Sequence, residues 1–258
     1  LAYTARSRSY VATVLQCGGR EKTCAPPTAL ACDPGARWEY GIGIDWAGKM
    51  VDAVTGQRLG EYMQQHIFDP LGMQSTAFRI TPSMRERLAK VHQRNAPGGL
   101  DVTPFEVNQA PEFDSGGGGL YSTAQDYQRF MRMILNAGQG NGNRILRAQT
   151  VETMSRNSMG DLRVTMLPAV RASLSHDAEF FPGTPKTWGL TFMINEAVAP
   201  TGRAAGSLAW AGLGHTYFWI APTNGIGGVY MVQVLPFVDP LALAGFYAFY
   251  SAVAHSVA

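Results

Sequence analysis

The sequence predicts an α+β fold in which a mostly helical region is followed by an antiparallel sheet flanked by helices. Three observations predict it. In the middle of the chain Tyr127, Phe130, Met131, Ile134 and Leu135 recur at the helical period, the mark of a core-facing stripe. The last third changes to short runs of aromatic and β-branched residues separated by turns, as in Thr216-Tyr217-Phe218-Trp219-Ile220. After these runs Asp239-Pro240 offers an N-cap and a first-turn proline for a closing helix from Leu241 to His255. The chain then divides into a loop-rich lead-in over residues 1–32, a mostly helical region over 33–185, and strands with the closing helix over 186–258.

Composition narrows the function. With 46% apolar residues, the 258-residue chain can bury a substantial core as one large domain or two small ones. Its net charge of +2 comes from interspersed charges with no basic stripe, which argues against nucleic acid or an anionic membrane surface and for small-molecule chemistry. The most apolar window, Leu241 to Val253, is too short to span a bilayer, and no signal peptide opens the chain. The first residue is Leu1 rather than methionine, so the natural N-terminus is expected to be missing or processed. Cys17, Cys24 and Cys32 share no metal-ligand spacing, and their odd number argues against a disulfide framework, which favours a reducing, cytoplasmic compartment. No cluster of His, Cys or Asp has ligand spacing, so neither a metal nor an organic cofactor is implied.

The elements follow in order. The lead-in has neither helical nor strand period apart from a short helix around Tyr10–Gln16. Asp33-Pro34-Gly35 is a turn, Trp38 and Tyr40 stand where it ends, and Ile44, Ala47, Gly48, Val51 and Val54 form a helical stripe stopped by Thr55-Gly56. A tyrosine between a rigid turn and a helix start is placed to hold its hydroxyl in a cleft; the plainer reading is an interface ring with a satisfied O–H. Leu59, Met63 and Ile67 mark a second helix that should end at Asp69-Pro70. Ala77–Ile80 and Ala89–Gln93 read as extended pieces around a Thr81-Pro82 helix start, and Asn95–Gly99 as a turn. Ser115–Asp126 holds four glycines and a capping box at Ser122/Thr123 with Gln125/Asp126. Lacking a P-loop lysine and dinucleotide spacing, that run suits close packing of a helix on a cleft wall better than phosphate binding. Asn136-Ala137-Gly138 ends the helix that follows, Asn141-Gly142 is a turn, and Ala148–Ser155 is a short helix. Trp188–Ile194, Ser207–Gly212, Thr216–Pro222 and Gly228–Val234 are strand-like runs forming an antiparallel meander, with Thr223-Asn224-Gly225 turning between the last two. The closing helix is apolar on almost every side, which calls for more cover than one sheet face and points to a partner element outside the chain.

Several motifs in their order carry a resemblance: Trp38-Glu39-Tyr40 leading into Asp45-Trp46-Ala47-Gly48-Lys49, Ile67-Phe68-Asp69-Pro70-Leu71-Gly72-Met73, Gly116–Thr123, and Trp210-Ala211-Gly212-Leu213-Gly214-His215-Thr216. From about Pro34 onward the chain resembles the serine hydrolases of the class C β-lactamase superfamily, and within it the family VIII carboxylesterases and related fungal acyltransferases. The resemblance implies a β-lactamase/transpeptidase-like fold lacking its N-terminal part, and attack on an ester or lactam carbonyl by a serine from a Ser-x-x-Lys helix. Tyr40 matches the family's proton-transferring tyrosine, which needs neighbouring positive charge because an ordinary phenol is too weakly ionised at neutral pH. Trp210-Ala211-Gly212 matches the third motif, a strand edge bordering the acyl group. The Leu213 N–H would then serve the oxyanion hole, with Trp210 a wall and His215 a neighbour of the substrate; the other reading of His215 is a hydrogen-bonded strand-end histidine.

The departures also inform. Tyr40-Gly41-Ile42 lacks the asparagine of the lactamase motif, and Trp210 stands where lactamases have lysine, which together favour ester over lactam substrates. No Ser-x-x-Lys occurs: Ser83, Ser122 and Ser207 each fail at the fourth position. Lys186-Thr187-Trp188-Gly189 precedes the wrong strand for the third motif, and Lys186 is read as a solvated strand-start residue. The expectation is an N-terminally incomplete, by itself inactive, serine hydrolase or acyltransferase acting on small-molecule esters. The alternatives are a non-catalytic ligand-binding member of the fold and a lactamase or D-amino-acid peptidase, and the oligomeric state stays open.

Overall fold

A computed structural model describes residues 32–95 and 98–256. The expectations for the lead-in, including the helix at Tyr10–Gln16, Cys17 and Cys24, and the Ala96-Pro97 portion of the turn, lie outside the described residues. The chain forms two compact units, one from the residues up to Leu88 with Glu106–Asp126, the other from Ala89–Phe105 with Tyr127 onward. The segment around Ala89–Phe105 belongs with the later residues because β-pairing joins it to a late strand.

In the first unit α1 (Gly43–Thr55) follows the Asp33 turn and ends at Gly56, which has φ 72° and donates its N–H to Asp52 O. Of its expected apolar stripe only Gly48 is buried, and Ile44 and Val54 are 45% and 85% exposed. Backbone contact takes the place of side-chain burial: a Cβ on Gly116 would lie 2.2 Å from Ile44 O, so the glycine run is the surface on which α1 rests. Asp45 Oδ1 clamps the same contact, accepting the Gly117 N–H at 2.9 Å and the Ser115 hydroxyl. Helix α2 (Leu59–Met63) does not stop at Asp69-Pro70. It passes through a π-type turn at Gln64–Phe68 into α3 (Asp69–Leu71) and ends at Gly72, φ 70°. The wider turn bonds the Asp69 N–H to Gln64 O, a geometry in which Pro70, with no N–H of its own, can remain helical. Helix α4 (Pro82–Glu86) starts as expected, with Thr81 Oγ1 accepting the Met84 N–H at 3.3 Å. Buried Asp114 ties this unit together through Arg79 at 2.8 Å, Arg58 at 3.3 Å and the Gly60 N–H at 3.0 Å.

The second unit begins with the hairpin β1 (His92–Arg94) and β2 (Leu100–Val102), turned by the Gly98 N–H on Asn95 O at 2.8 Å. Helix α5 (Ala124–Leu135) starts in the first unit and continues into the second. Thr123 caps it by accepting the Asp126 N–H at 3.2 Å, while Asp126 Oδ2 accepts the Ser75 N–H at 2.7 Å and the Thr76 hydroxyl at 3.0 Å. Next come β3 (Gln139–Gly140) and β4 (Asn143–Arg144), joined by the Asn141-Gly142 turn, and then α6 (Ala148–Met154).

The sheet is the meander β5 (Lys186–Trp188), β6 (Met193–Asn195), β7 (Leu208–Gly212), β8 (Thr216–Ala221) and β9 (Ile226–Met231), antiparallel in that order. The run Trp188–Ile194 is thus two strands. Its break is at Gly189, whose N–H bonds Phe192 O and whose backbone runs so close to α6 that a Cβ would lie 2.2 Å from Met154 O. The run Gly228–Val234 divides as well, because β10 (Val234–Leu235) leaves the meander to pair in parallel with β1. The closing helix α7 (Pro240–Ser256) has the expected cap, Asp239 Oδ1 accepting the Ala242 N–H at 3.0 Å. Ala209, Tyr217 and Trp219 on one sheet face form the core with Phe246 and Tyr250 of α7, whereas Phe218 on the other face meets Tyr127 of α5 at 5.1 Å. Among the described residues α7 is covered along one face only; Ala244, Ala248 and Ala252 lie on the exposed side, where small side chains lose little by facing water.

Candidate active site

Register sets the character of β7. Strand β6 pairs with it only at Leu208 and Ala209, so among the described residues Trp210, Ala211 and Gly212 have a strand neighbour on the β8 side alone, at Phe218, Tyr217 and Thr216. Among the described residues this half of the strand is a sheet edge. The chain then turns through Leu213, Gly214 and His215, with the His215 N–H donating to Gly212 O at 2.9 Å. Neither Leu213 nor Gly214 has positive φ, whereas His215 has φ 61°, so the connection is a type I turn followed by a left-handed residue. Leu213 takes the first corner of that turn, half-buried, and its N–H has no acceptor among the described residues. Trp210, also half-buried, is set edge-on by Trp188 at 4.5 Å and by Phe180 at 6.1 Å between ring centres. Neither of those two neighbours is singled out by the sequence motifs, although Trp188 belongs to an aromatic strand-like run.

His215 is fully buried. Its Nε2 lies 2.9 Å from the Asp239 N–H and must accept, so that nitrogen carries no proton; Nδ1 carries it and donates to Val234 O at 2.7 Å. Burial pushes the imidazole pKa below its ordinary value, opposed in part by the bond to Val234. With both ring nitrogens committed to backbone, none is left for a substrate, and of the two readings the strand-end histidine fits these bonds. Asp239 is held in turn by Arg94, at 2.7 Å (Nε–Oδ2) and 2.9 Å (Nη2–Oδ1), and this guanidinium chiefly draws the carboxyl pKa down to about 2.

Tyr40 belongs to the first unit. It stands half-buried on the stretch between the Asp33 turn, closed by the Ala36 N–H on Asp33 O at 3.0 Å, and α1, two residues before buried Ile42. Trp210, Ala211, Gly212, Leu213 and His215 are brought together on one strand and hairpin of the second unit. Lys186 corrects the expectation of a solvated residue. It begins β5 but is 4% exposed, and its Nζ donates to Phe181 O at 3.2 Å and Thr184 O at 2.7 Å. Phe181 adopts φ 50° in this loop, and burial lowers the amine pKa. Among the described residues no cluster of His, Cys, Asp or Glu is arranged to hold a metal, and no helix is long and apolar enough to cross a membrane.

The chain is similar to known proteins. An ML-236A carboxylate methylbutanoyltransferase of Penicillium citrinum is 28% identical over 233 residues, 86% of this chain and 54% of that protein. A lovastatin esterase of Penicillium rubens is 31% identical over 222 residues, 81% of this chain and 54% of that protein. The solved structure of simvastatin synthase (LovD) from Aspergillus terreus matches with TM-score 0.74 and 27% identity over 90% of this chain and 58% of that one. The chain thus spans about half the length of the curated relatives it matches. The family model described as Beta-lactamase runs from residue 26 to residue 249, taking in residues of both compact units, and the chain belongs to that family.

Proposed function

We propose that this chain is part of an enzyme that moves an acyl group from a carboxylic ester to water or to an acceptor alcohol through an acyl-enzyme. The serine oxygen attacks the ester carbonyl and its proton passes to the Tyr40 phenolate. The carbonyl oxygen, negatively charged in the tetrahedral intermediate, is held by the Leu213 N–H and the serine's own N–H. The alkoxide then leaves with the proton from Tyr40. Water or an alcohol attacks the acyl-enzyme, giving up its proton to Tyr40, which returns it to the serine as the acid or new ester departs. Trp210, Ala211 and Gly212 border the acyl group, and His215 holds the hairpin that carries Leu213.

The observation that carries this reading is the Leu213 N–H, which among the described residues has no acceptor and stands at the end of a strand edge. The names of two relatives, a methylbutanoyltransferase and an esterase, support ester chemistry. No Ser-x-x-Lys lies within the 258 residues, so the nucleophile is assigned to residues outside them. The test compares the 258-residue chain with a longer polypeptide restoring upstream residues, using hydrolysis of 4-nitrophenyl butyrate and labelling by a fluorophosphonate. The short chain should be silent in both assays and the longer one active in both. Labelling of the short chain, or full activity of the longer one carrying Tyr40→Phe, refutes the assignment.

A further inference from the structure

Three aromatic rings of the second unit meet beside β7. Trp188 ends β5, Phe180 stands in the connection that precedes β5, and Trp210 lies on the half of β7 to which β6 does not pair. The indole of Trp210 meets Trp188 at 4.5 Å and 77° and Phe180 at 6.1 Å and 74°, both edge-to-face contacts. The two supporting rings are themselves held. Phe180 is buried and packs edge-on to Tyr217 at 6.1 Å and to Phe237 at 6.2 Å. Trp188 pairs with Met193 in the β5–β6 ladder, its carbonyl accepts the Ser158 N–H at 2.9 Å, and the next residue, Gly189, runs beside Met154 O.

Trp210 has less support from its own strand. It is half-buried, and the ladder with β6 stops one residue earlier, at Ala209. A side chain at such an edge has several staggered conformations open to it, and the neighbouring rings choose among them. Trp188 is the nearer of the two. Trp210 also lines a small, largely apolar hollow with Phe180, Met193, Ala209 and Ala211 among others. Its volume, about 10 Å³, is no more than one water requires, so no acyl chain enters it while the indole keeps this pose. Removing the Trp188 ring would leave a space that its surroundings fill only in part, and a tilt of the indole into that space would open the hollow.

We propose that Trp188 is a positioning residue for acyl-group size. It fixes the indole of Trp210 in the pose that keeps the hollow closed, and so limits how long an acyl group the β7 edge accepts. Trp188 acts through Trp210 and not by touching the substrate. The proposal rests on the reading that Trp210 borders the acyl group.

The polypeptide that carries the nucleophile is to be compared with its Trp188→Ala variant on 4-nitrophenyl butyrate and octanoate. The ratio of kcat/KM for octanoate to that for butyrate should rise by about tenfold in the variant, the order of discrimination an apolar pocket gives over a few methylenes. Trp188→Phe, which keeps a ring against the indole, should keep the parent ratio. In a Trp210→Ala background, Trp188→Ala should change the ratio no further, because its effect passes through the indole. A residue that only holds the fold would lower turnover of both esters alike and leave the ratio where it was. Should Trp188→Ala not fold, Phe180→Leu, which removes the other edge contact, should raise the ratio in the same direction. A parent ratio in the folded variant, or a shift that persists undiminished without the Trp210 ring, overturns the proposal. Failure of the underlying reading looks different: the unsubstituted longer polypeptide would hydrolyse neither ester and take no fluorophosphonate label, which overturns both.

Discussion

The imidazole of His215 joins two segments that follow it in sequence, accepting the main-chain N–H of Asp239 at 2.9 Å while its other nitrogen donates to Val234 O at 2.7 Å. One ring thereby fixes the tip of the β7–β8 hairpin to β10 and to the cap of α7. The bond to Asp239 exists only while Nε2 is unprotonated, because a protonated ring would set a donor against a donor.

The first prediction concerns acid. The folded state holds His215 neutral with a pKa below 6.5, so its contribution is complete above pH 6.5 and is lost as pH falls from there through the folded value, where the unfolded chain binds the proton more readily. Asp239 behaves as a depressed carboxylate: its contribution is present above pH 3.8 and is lost between 3.8 and about 2. Urea midpoints against pH should therefore decline in two stages. In His215→Gln the upper stage should shrink, and an unchanged decline between pH 6.5 and 5 in that variant would count against the assignment.

The second prediction concerns Gly228. It sits directly opposite Trp219 in the β8–β9 register, and a Cβ there would lie 2.1 Å from a carbon of the indole. Gly228→Ala should cost on the order of 1–3 kcal/mol by overpacking. Trp219→Phe alone should also destabilise, by leaving a void in the core. The double variant should lose less than the sum of the two, since the smaller ring makes room for the new methyl. Strict additivity in urea unfolding would show that the two residues do not compete for the same space.

Local chemistry made much of this fold readable. Thr81 before Pro82, Thr123 before α5, Asn141-Gly142 and Asp239 before Pro240 each determine a cap or turn through their own atoms, and each stands where the sequence places it. Strand limits were less readable because distant backbone decides them. Gly189 breaks a run because Met154 O lies beside it, and Val234 leaves the meander because β1 offers it a parallel partner. The helical period of α1 was legible but its burial was not, since a glycine backbone rather than side chains packs against it. At the candidate site the Trp210–Leu213 motif was legible by resemblance. The partners of His215 were not, because both are main-chain atoms on a later stretch of the chain.

Lys186 gives the third prediction. Its ammonium donates to Thr184 O, for which no other donor stands among the described residues, and shares Phe181 O with the Thr184 N–H at 3.0 Å. Lys186→Met keeps most of the stem's volume and removes that donor, and should cost about 1–3 kcal/mol through the Thr184 carbonyl left unpaired. A solvated strand-start lysine would instead tolerate the change within about 0.5 kcal/mol. A urea midpoint equal to that of the unsubstituted chain would restore the solvated reading.

The last prediction isolates one hydrogen at the proposed oxyanion hole. Leu213 occupies the first corner of a type I turn, the position where proline is favoured, and Gly212 before it is in a strand, the conformation that a following proline requires. Leu213→Pro therefore deletes the main-chain N–H with little cost to the fold, since that N–H has no acceptor among the described residues. In the polypeptide that carries the nucleophile, kcat for ester hydrolysis should fall by about 10²–10³, the usual effect of removing one oxyanion donor. Leu213→Ala shortens the side chain but keeps the N–H, and should stay within a few-fold of the unsubstituted rate. Melting temperatures of both variants should stay close to that of the parent, which separates loss of the donor from loss of the hairpin. If Leu213→Pro folds normally and hydrolyses the ester at the parent rate, the oxyanion must be held by other donors, and the assignment of Leu213 fails.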